Sequence, residues 1–175
     1  MRKIAAASTI IALTVAAQSP AQDLLVPLQY SSIQAAIDAA APGGHIVVAP
    51  GLYRENLLIE KAVTLVSSDG AGATVIDGGR LGPVIVARGT GAEVVEISGF
   101  TIVNGLNAFL HSNNAPNMSG GVFVQAVEAT ITDNVVRDNL GCIGTGIATL
   151  EARAVIEHNV VADNPKSPNL SLIHI

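Results

Sequence analysis

The side chains best suited to chemistry fall in two parts of the sequence. Asp133 and His158 occupy the same position in two repeat copies 25 residues apart. A carboxylate stacked beside an imidazole would raise the proton affinity of the ring. A surface column of compatible polar residues is the simpler interpretation of the pair, because such residues commonly fill turns. His111, Asn113 and Asn114 form a second polar group. We take these five residues as candidate substrate-binding side chains.

Three aspartates raise the question of a metal site. Asp133, Asp138 and Asp163 could contribute oxygen ligands to Ca²⁺. Asp138 and Asp163 occupy turn positions of the repeat, where aspartate is common for backbone reasons. We therefore assign neither a metal site nor a catalytic residue. Cys142 is the single cysteine, so no disulfide framework is expected, and a small buried side chain is its predicted role.

An internal repeat defines the architecture. Segments 97–105, 131–139 and 156–164 align without gaps, and the strands beginning at Gly121 and Gly146 recur at the same 25-residue interval as the last two copies. Three short strands with their turns fill one coil of a parallel β-solenoid. The sequence predicts an all-β right-handed parallel β-helix of about six coils, with roughly 25 residues in each.

Stacked coils place equivalent residues about 4.8 Å apart. Asn134 would then lie over Asn159, and Asn139 over Asn164, which predicts two structural asparagine ladders. Two aliphatic columns should fill the interior, namely Ile131 with Ile156 and Val136 with Val161.

The repeat spacing is irregular at one place. The first copy precedes the second by 34 residues rather than 25, and the nine extra residues lie between Asn104 and Gly121. Insertions in solenoids emerge as loops, often on the binding face. This insertion carries His111, Asn113 and Asn114, although an ordinary surface loop would have the same composition.

One helix precedes the strands. Ser31 and Gln34 have the spacing of a capping box, and apolar residues follow at helical intervals up to Ala41. We expect segment 31–41 to cover the exposed edge of the first coil and to block end-to-end pairing. The β-helix should occupy residues 22–164. Prolines interrupt the repeat in 165–175, which predicts an irregular or truncated end.

Residues 1–21 resemble a secretory signal peptide, with a basic start, an apolar run of about 14 residues and small residues before the cleavage point. The apolar run is too short to span a bilayer. Without Arg2 and Lys3, 7 basic residues face 14 acidic ones, which disfavours nucleic acid as a partner. We expect a monomer without a membrane span, secreted, periplasmic or on the cell surface.

The stretch Tyr30–Asn56, with Val63–Val66 and Ala73–Gly79, resembles the start of pectin-lyase-like right-handed parallel β-helix proteins. This family includes pectate lyases, pectinesterases, polygalacturonases and alginate epimerases. The resemblance implies the fold and an association with polysaccharide, but no particular reaction. The Gly-x-Tyr-x-Glu at Gly51, Tyr53 and Glu55 belongs to the scaffold of such proteins, and their catalytic motifs are missing here.

Two functions follow from this resemblance. The first is a carbohydrate-associated binding or surface module, which needs no cofactor. The second is a fragment of a polysaccharide lyase or hydrolase acting on acidic glycans such as pectin, for which Ca²⁺ would be the expected cofactor if the chemistry is lyase-like.

Overall fold

The computed structural model describes residues 22–107, 119–141, 144–165 and 173–174. Within these ranges the chain is mostly β-structure with a single helix, as the sequence predicts. The elements in chain order are β1 Leu24–Val26, α1 Ile33–Ala39, β2 Gly44–Val48, β3 Gly51–Tyr53, β4 Leu57–Ile59, β5 Val63–Ser67, β6 Thr74–Asp77, β7 Ile85–Arg88, β8 Val94–Ser98, β9 Thr101–Val103, β10 Val122–Gln125, β11 Glu128–Thr132, β12 Val135–Arg137, β13 Ile147–Leu150, β14 Arg153–Glu157, β15 Val160–Val161 and β16 Ile173–His174.

The strands form three parallel sheets. Sheet 1 has the order β1-β2-β5-β8-β11-β14, sheet 2 has β3-β6-β9-β12-β15, and sheet 3 has β4-β7-β10-β13-β16. The chain therefore visits sheets 1, 2 and 3 in turn and returns to sheet 1 beside its previous strand. We call each such pass a coil. The described strands make five passes, from β2–β4 to β14–β16, and β1 precedes them. This arrangement is compatible with a β-helix-like solenoid.

The interior is filled by aliphatic side chains that point inward from alternate strand positions. The predicted register holds, since Ile131 pairs with Ile156 and Val136 pairs with Val161. Ile131 and Val136 are fully buried, while their neighbours in the fifth coil are only partly buried. Branched side chains stack compactly in so narrow an interior, which accounts for the low aromatic content of the chain.

The corners between sheets use left-handed backbone geometry. The positive φ angles recur in three sets: Gly99, Asp133 and His158 between sheets 1 and 2; Asn104, Asp138 and Asp163 between sheets 2 and 3; and Ala126 and Glu151 between sheets 3 and 1. Asp138 and Asp163 have φ values of 58° and 51°. Aspartate tolerates this conformation better than most residues, so the structure gives both aspartates the turn geometry predicted for them.

The helix begins differently from the prediction. Ser32, rather than Ser31, is the N-cap, and its Oγ accepts a hydrogen bond from the Ala35 N–H at 3.1 Å. The expected partner Gln34 does not close a capping box. The carboxylate of Glu55 accepts hydrogen bonds from the N–H groups of Ile33 and Gln34 instead, each at 2.9 Å. The start of the helix thus combines a local cap from Ser32 with a tertiary contact from Glu55.

Gln34 turns its side chain toward the open edge of β4. Its Oε1 accepts from the Leu58 N–H at 2.9 Å, and its Nε2 donates to the Leu58 carbonyl at 3.1 Å. The amide therefore imitates the backbone of a neighbouring strand. The helix thus contacts the first coil at the open edge of this strand.

Candidate functional site

The four predicted ladder asparagines form hydrogen bonds between coils. Oδ1 of Asn159 accepts from the backbone N–H and from Nδ2 of Asn134, at 3.0 and 3.1 Å. Asn164 makes the same two contacts with Asn139, both at 3.1 Å. Oδ1 of Asn134 in turn accepts from the Phe100 N–H at 2.9 Å. These amides satisfy corner backbone groups and are not available to a ligand.

The structure places Asp133 and His158 at equivalent corners of adjacent coils. They follow Thr132 and Glu157, which are paired in the register of sheet 1, and both have a φ of 57°. Both side chains are exposed and form no hydrogen bond or ion pair within the described ranges. The predicted column therefore exists, but nothing in its geometry links the carboxylate to the imidazole.

The other predicted binding residues, His111, Asn113 and Asn114, fall in segment 108–118, outside the described residues. Cys142 lies outside them as well, as do the signal-peptide-like segment 1–21 and most of segment 165–175.

A groove lies elsewhere among the described residues, at the corner where sheet 3 leads into sheet 1. It has a volume of about 410 Å³. We call it the Arg88 groove, and its lining residues are Glu60, Arg88, Gly89, Thr90, Glu93, Gln125 and Ala126. It spans several coils, because Glu60, Arg88 and Gln125 directly follow or end β4, β7 and β10.

Glu60, Arg88 and Gln125 form one outward column. Ile59 pairs with Ala87, so Glu60 and Arg88 stand side by side, and Arg88 pairs with Gln125. Successive positions in this column are separated by the strand spacing of about 4.8 Å. The groove thus presents a carboxylate, a guanidinium and an amide in a row along the solenoid axis.

Arg88 and Glu60 form an ion pair that leaves hydrogen-bonding groups available. Nε and Nη2 of Arg88 approach the same oxygen, Oε1 of Glu60, at 2.8 and 2.7 Å. Both side chains are about half exposed, at 54% and 55%. Among the described residues, neither the second oxygen of Glu60 nor Nη1 of Arg88 has a partner. Exposed pairs of this kind add little stability.

Glu93 is held in a fixed position at the rim of the groove. Its Oε2 accepts from the Thr90 N–H at 2.7 Å, and its Oε1 accepts from the Thr90 hydroxyl at 3.0 Å. The backbone hydrogen bond from Thr90 is the main cause of a lowered pKa for Glu93, which favours the charged form. A Cβ on Gly89 would lie 2.2 Å from Oε2, so the lack of a side chain there makes this arrangement possible.

The sequence reasoning missed this groove. The sequence offers only a weak signal for this column. Glu60, Arg88 and Gln125 each directly follow an inward-pointing aliphatic residue near the end of a strand. The Glu60–Arg88 interval is 28 residues, whereas the later coils recur at 25. Unequal intervals hide a column from a search for repeats.

A second groove, of about 370 Å³, lies on the outer face of sheet 1. It is lined by Val94, Glu128, Ala129, Thr130, Arg153, Ala154 and Val155. Arg153 and Glu128 approach each other there at 3.5 Å. This surface holds one exposed ion pair between aliphatic side chains and offers fewer polar groups than the Arg88 groove.

The described residues contain no group of three or more histidine, cysteine, aspartate or glutamate side chains arranged to hold a metal ion. No helix in the same ranges is both long and apolar enough to cross a membrane.

Comparison with family models and with curated proteins identified no relative of this chain. The chain matches no family model, and no curated protein matches its sequence.

Proposed function

We propose that this chain is an exported right-handed parallel β-helix protein of the pectin-lyase-like type that binds a polysaccharide. Export rests on the signal-peptide-like segment 1–21. The fold assignment rests on three parallel sheets visited in turn, together with the resemblance in Tyr30–Asn56. The binding function rests on the Arg88 groove.

The observation that carries the proposal is the row of Glu60, Arg88 and Gln125 across three adjacent coils. Sugar hydroxyls both donate and accept hydrogen bonds. A carboxylate only accepts, a guanidinium only donates, and an amide does both. A glycan lying along the solenoid axis would meet these groups in succession, at intervals comparable with the length of one sugar ring.

The composition of the groove favours binding through hydrogen bonds. Among the described residues its lining contains no aromatic side chain, so stacking of a sugar on a ring is not the expected mode. The groove lining carries two carboxylates, Glu60 and Glu93, and one guanidinium, Arg88, which makes the groove mildly acidic. We therefore expect neutral or weakly charged glycans to bind more tightly than highly acidic ones.

The lyase or hydrolase fragment is the alternative. Two carboxylates in one groove are a feature of glycoside hydrolases, in which one carboxyl group must remain protonated to act as an acid. The hydrogen bonds to Glu93 lower its pKa, so Glu93 itself is not suited to act as that acid. Glu60 already accepts hydrogen bonds from Arg88, so neither carboxylate is arranged as a free acid, which favours binding.

A glycan array probed with the full chain, with and without Ca²⁺, tests the proposal. We expect binding to one class of neutral or weakly acidic polysaccharide, with no new reducing ends and no unsaturated sugars after prolonged incubation. Release of either product would replace the binding module with the enzyme. Absence of binding to every glycan, in both conditions, would overturn both functions.

A further inference from the structure

Glu93 is the unmatched charge of the Arg88 groove. None of the ion pairs among the described residues includes it, whereas Glu60, the other carboxylate of the lining, is paired with Arg88. The Glu93 carboxylate accepts hydrogen bonds from the N–H and the hydroxyl of Thr90, which are both uncharged. Since Glu60 and Arg88 offset each other, the net charge of the lining is the single negative charge of Glu93.

The backbone around Glu93 fixes the position of this charge. The Gly89 N–H donates to the Gln125 carbonyl at 3.1 Å. The Glu93 carbonyl accepts from the Glu128 N–H at 2.9 Å. The loop between β7 and β8 is therefore tied to the next coil at both ends, and the Thr90 N–H holds Oε2 of Glu93 within it. The hydrogen bond from the Thr90 backbone also lowers the pKa of Glu93, which keeps the carboxylate charged.

Arg88 is the one guanidinium among the described residues of the lining, and one of its edges is occupied. Its Nε and Nη2 both bond to Oε1 of Glu60, at 2.8 and 2.7 Å. A ligand carboxylate binds an arginine most strongly through two parallel hydrogen bonds along one edge of the guanidinium. At the edge that remains, formed by Nη1 and Nη2, it would share Nη2 with Glu60 and bring two like charges together. A hydroxyl needs only the single donor Nη1 and meets no such repulsion.

Both features oppose a ligand that carries carboxylates. A polyuronate has one carboxylate on every sugar ring, so a chain lying along the outward column of this groove would bring negative charge close to Glu93. Unpaired charges set against the wrong ligand are a common source of specificity. We propose, as an extension of the polysaccharide binding proposed above, that the Arg88 groove excludes polyuronates and that Glu93 sets this selectivity.

Uncharged glycans meet no such opposition. Oε2 of Glu60 can accept from a sugar hydroxyl, Nη1 of Arg88 can donate to one, and the Gln125 amide can do either. The Glu93 carboxylate has further acceptor sites beside its bonds to Thr90. A hydroxyl-rich ligand can therefore use these groups without placing a second negative charge beside the carboxylates.

Neutral and acidic forms of the same backbone measure the selectivity. Polygalacturonate and its methyl ester form one such pair, and cellulose oligosaccharides and their C6-carboxylated forms are another. Titration calorimetry of the full chain with each glycan gives the ratio of the two affinities. The wild type should bind the neutral member of each pair that it recognises at least about fivefold more tightly than the acidic member, because two like charges a few ångströms apart in water repel by about that factor.

Glu93→Gln removes the charge but keeps an oxygen that can accept from the Thr90 N–H. In this variant the ratio of neutral to acidic affinity should fall by at least about threefold. A partial loss of folded protein would lower both affinities by the same factor, so the ratio reports selectivity alone. Glu157→Gln removes the same charge at the corner between sheets 1 and 2, outside the groove, and is the matched control. Its ratio should equal that of the wild type.

Salt distinguishes an effect of charge from an effect of shape. Raising the salt concentration from about 0.05 to about 0.5 M should lower the wild-type ratio, since screening weakens the repulsion between exposed charges, and should change the Glu93→Gln ratio much less. Equal affinities of the wild type for both members of a pair, or an unchanged ratio in Glu93→Gln, would overturn the selectivity and leave polysaccharide binding intact. Absence of binding to every glycan, neutral or acidic, would overturn polysaccharide binding itself and this selectivity with it.

Discussion

Oδ1 of Asn159 accepts hydrogen bonds from both the backbone N–H and the Nδ2 of Asn134, at 3.0 and 3.1 Å. Nδ2 of Asn134 also donates to the Ile97 and Thr132 carbonyls, at 3.0 and 2.8 Å. One amide thus joins three successive coils at the corner between sheets 1 and 2. Each corner asparagine is a structural component that a ligand cannot share.

Removing this amide should destabilise the fold substantially. Asn134 is 1% exposed, and its loss leaves the Phe100 N–H without its acceptor and removes one hydrogen bond from each of the Ile97 and Thr132 carbonyls in a buried corner. We expect Asn134→Ala to lower the free energy of unfolding by about 3 kcal/mol, measured by urea denaturation. Asn56→Ala is the control, since that side chain is exposed and bonds only to the Gly82 and Pro83 carbonyls. Similar losses in the two variants would contradict the ladder account.

Close backbone contact between coils makes a second prediction. A Cβ on Gly121 would lie 2.2 Å from the carbonyl oxygen of Gly146 in the next coil, whereas a Cβ on Gly72 would have no atom within 4 Å. Gly121→Ala should therefore prevent stable folding or lower the melting temperature sharply. Gly72→Ala should stay within about 1 kcal/mol of the wild type, because it only reduces the entropy of the unfolded chain. Equal melting temperatures would show that the coils are not stacked this closely.

Glu55 should stabilise the helix that covers the first coil. Its carboxylate accepts hydrogen bonds from the N–H groups of Ile33 and Gln34. Glu55→Ala leaves both donors at the helix start unsatisfied, so we expect a loss of about 1 to 2 kcal/mol in urea denaturation. Glu151→Ala, at an exposed corner, should change little. If Ser32→Ala costs as much as Glu55→Ala, the local cap is as important as the tertiary one.

Glu93 should make stability depend on pH. Hydrogen bonds from Thr90 lower the pKa of Glu93 in the folded state. The stabilisation that Glu93 provides is therefore complete above the pKa of about 4.3 that a glutamate has in the unfolded chain. It is lost as the pH falls through the lower pKa of the folded state. The urea midpoint of the wild type should exceed that of Glu93→Gln at pH 7, and the two should converge towards pH 3. Glu151→Gln is the control, and its urea midpoint should stay close to that of the wild type. A difference in urea midpoint between Glu93→Gln and the wild type that grows on acidification would contradict the lowered pKa of Glu93.

The sequence predicted those parts of the fold that repeat regularly. Asn134 and Asn159 recur at 25 residues, so their contact follows from the alignment of the two copies. The helix was also predictable from its apolar stripe. Its cap was not, because Glu55 lies 22 residues from Ile33 along the chain and reaches it only after the first coil has formed.

The candidate site escaped prediction for a related reason. Arg88 lies 28 residues after Glu60 in the sequence, and a longer interval that contains the insertion separates it from Gln125. Strand register, rather than sequence spacing, brings them together. By contrast, Asp133 and His158 were found because they recur regularly, yet their side chains make no bond within the described ranges.

The affinity of Arg88→Ala for a glycan, compared with that of Arg54→Ala, tests the proposed binding function most directly. Isothermal titration with the array-selected polysaccharide should show a loss of at least about tenfold for Arg88→Ala, equivalent to about 1.4 kcal/mol of binding free energy. Arg54→Ala removes an exposed arginine outside the groove and should bind like the wild type. Undiminished affinity in Arg88→Ala, with a loss in Asp133→Asn instead, would place the ligand at the corner of sheets 1 and 2 and contradict this account.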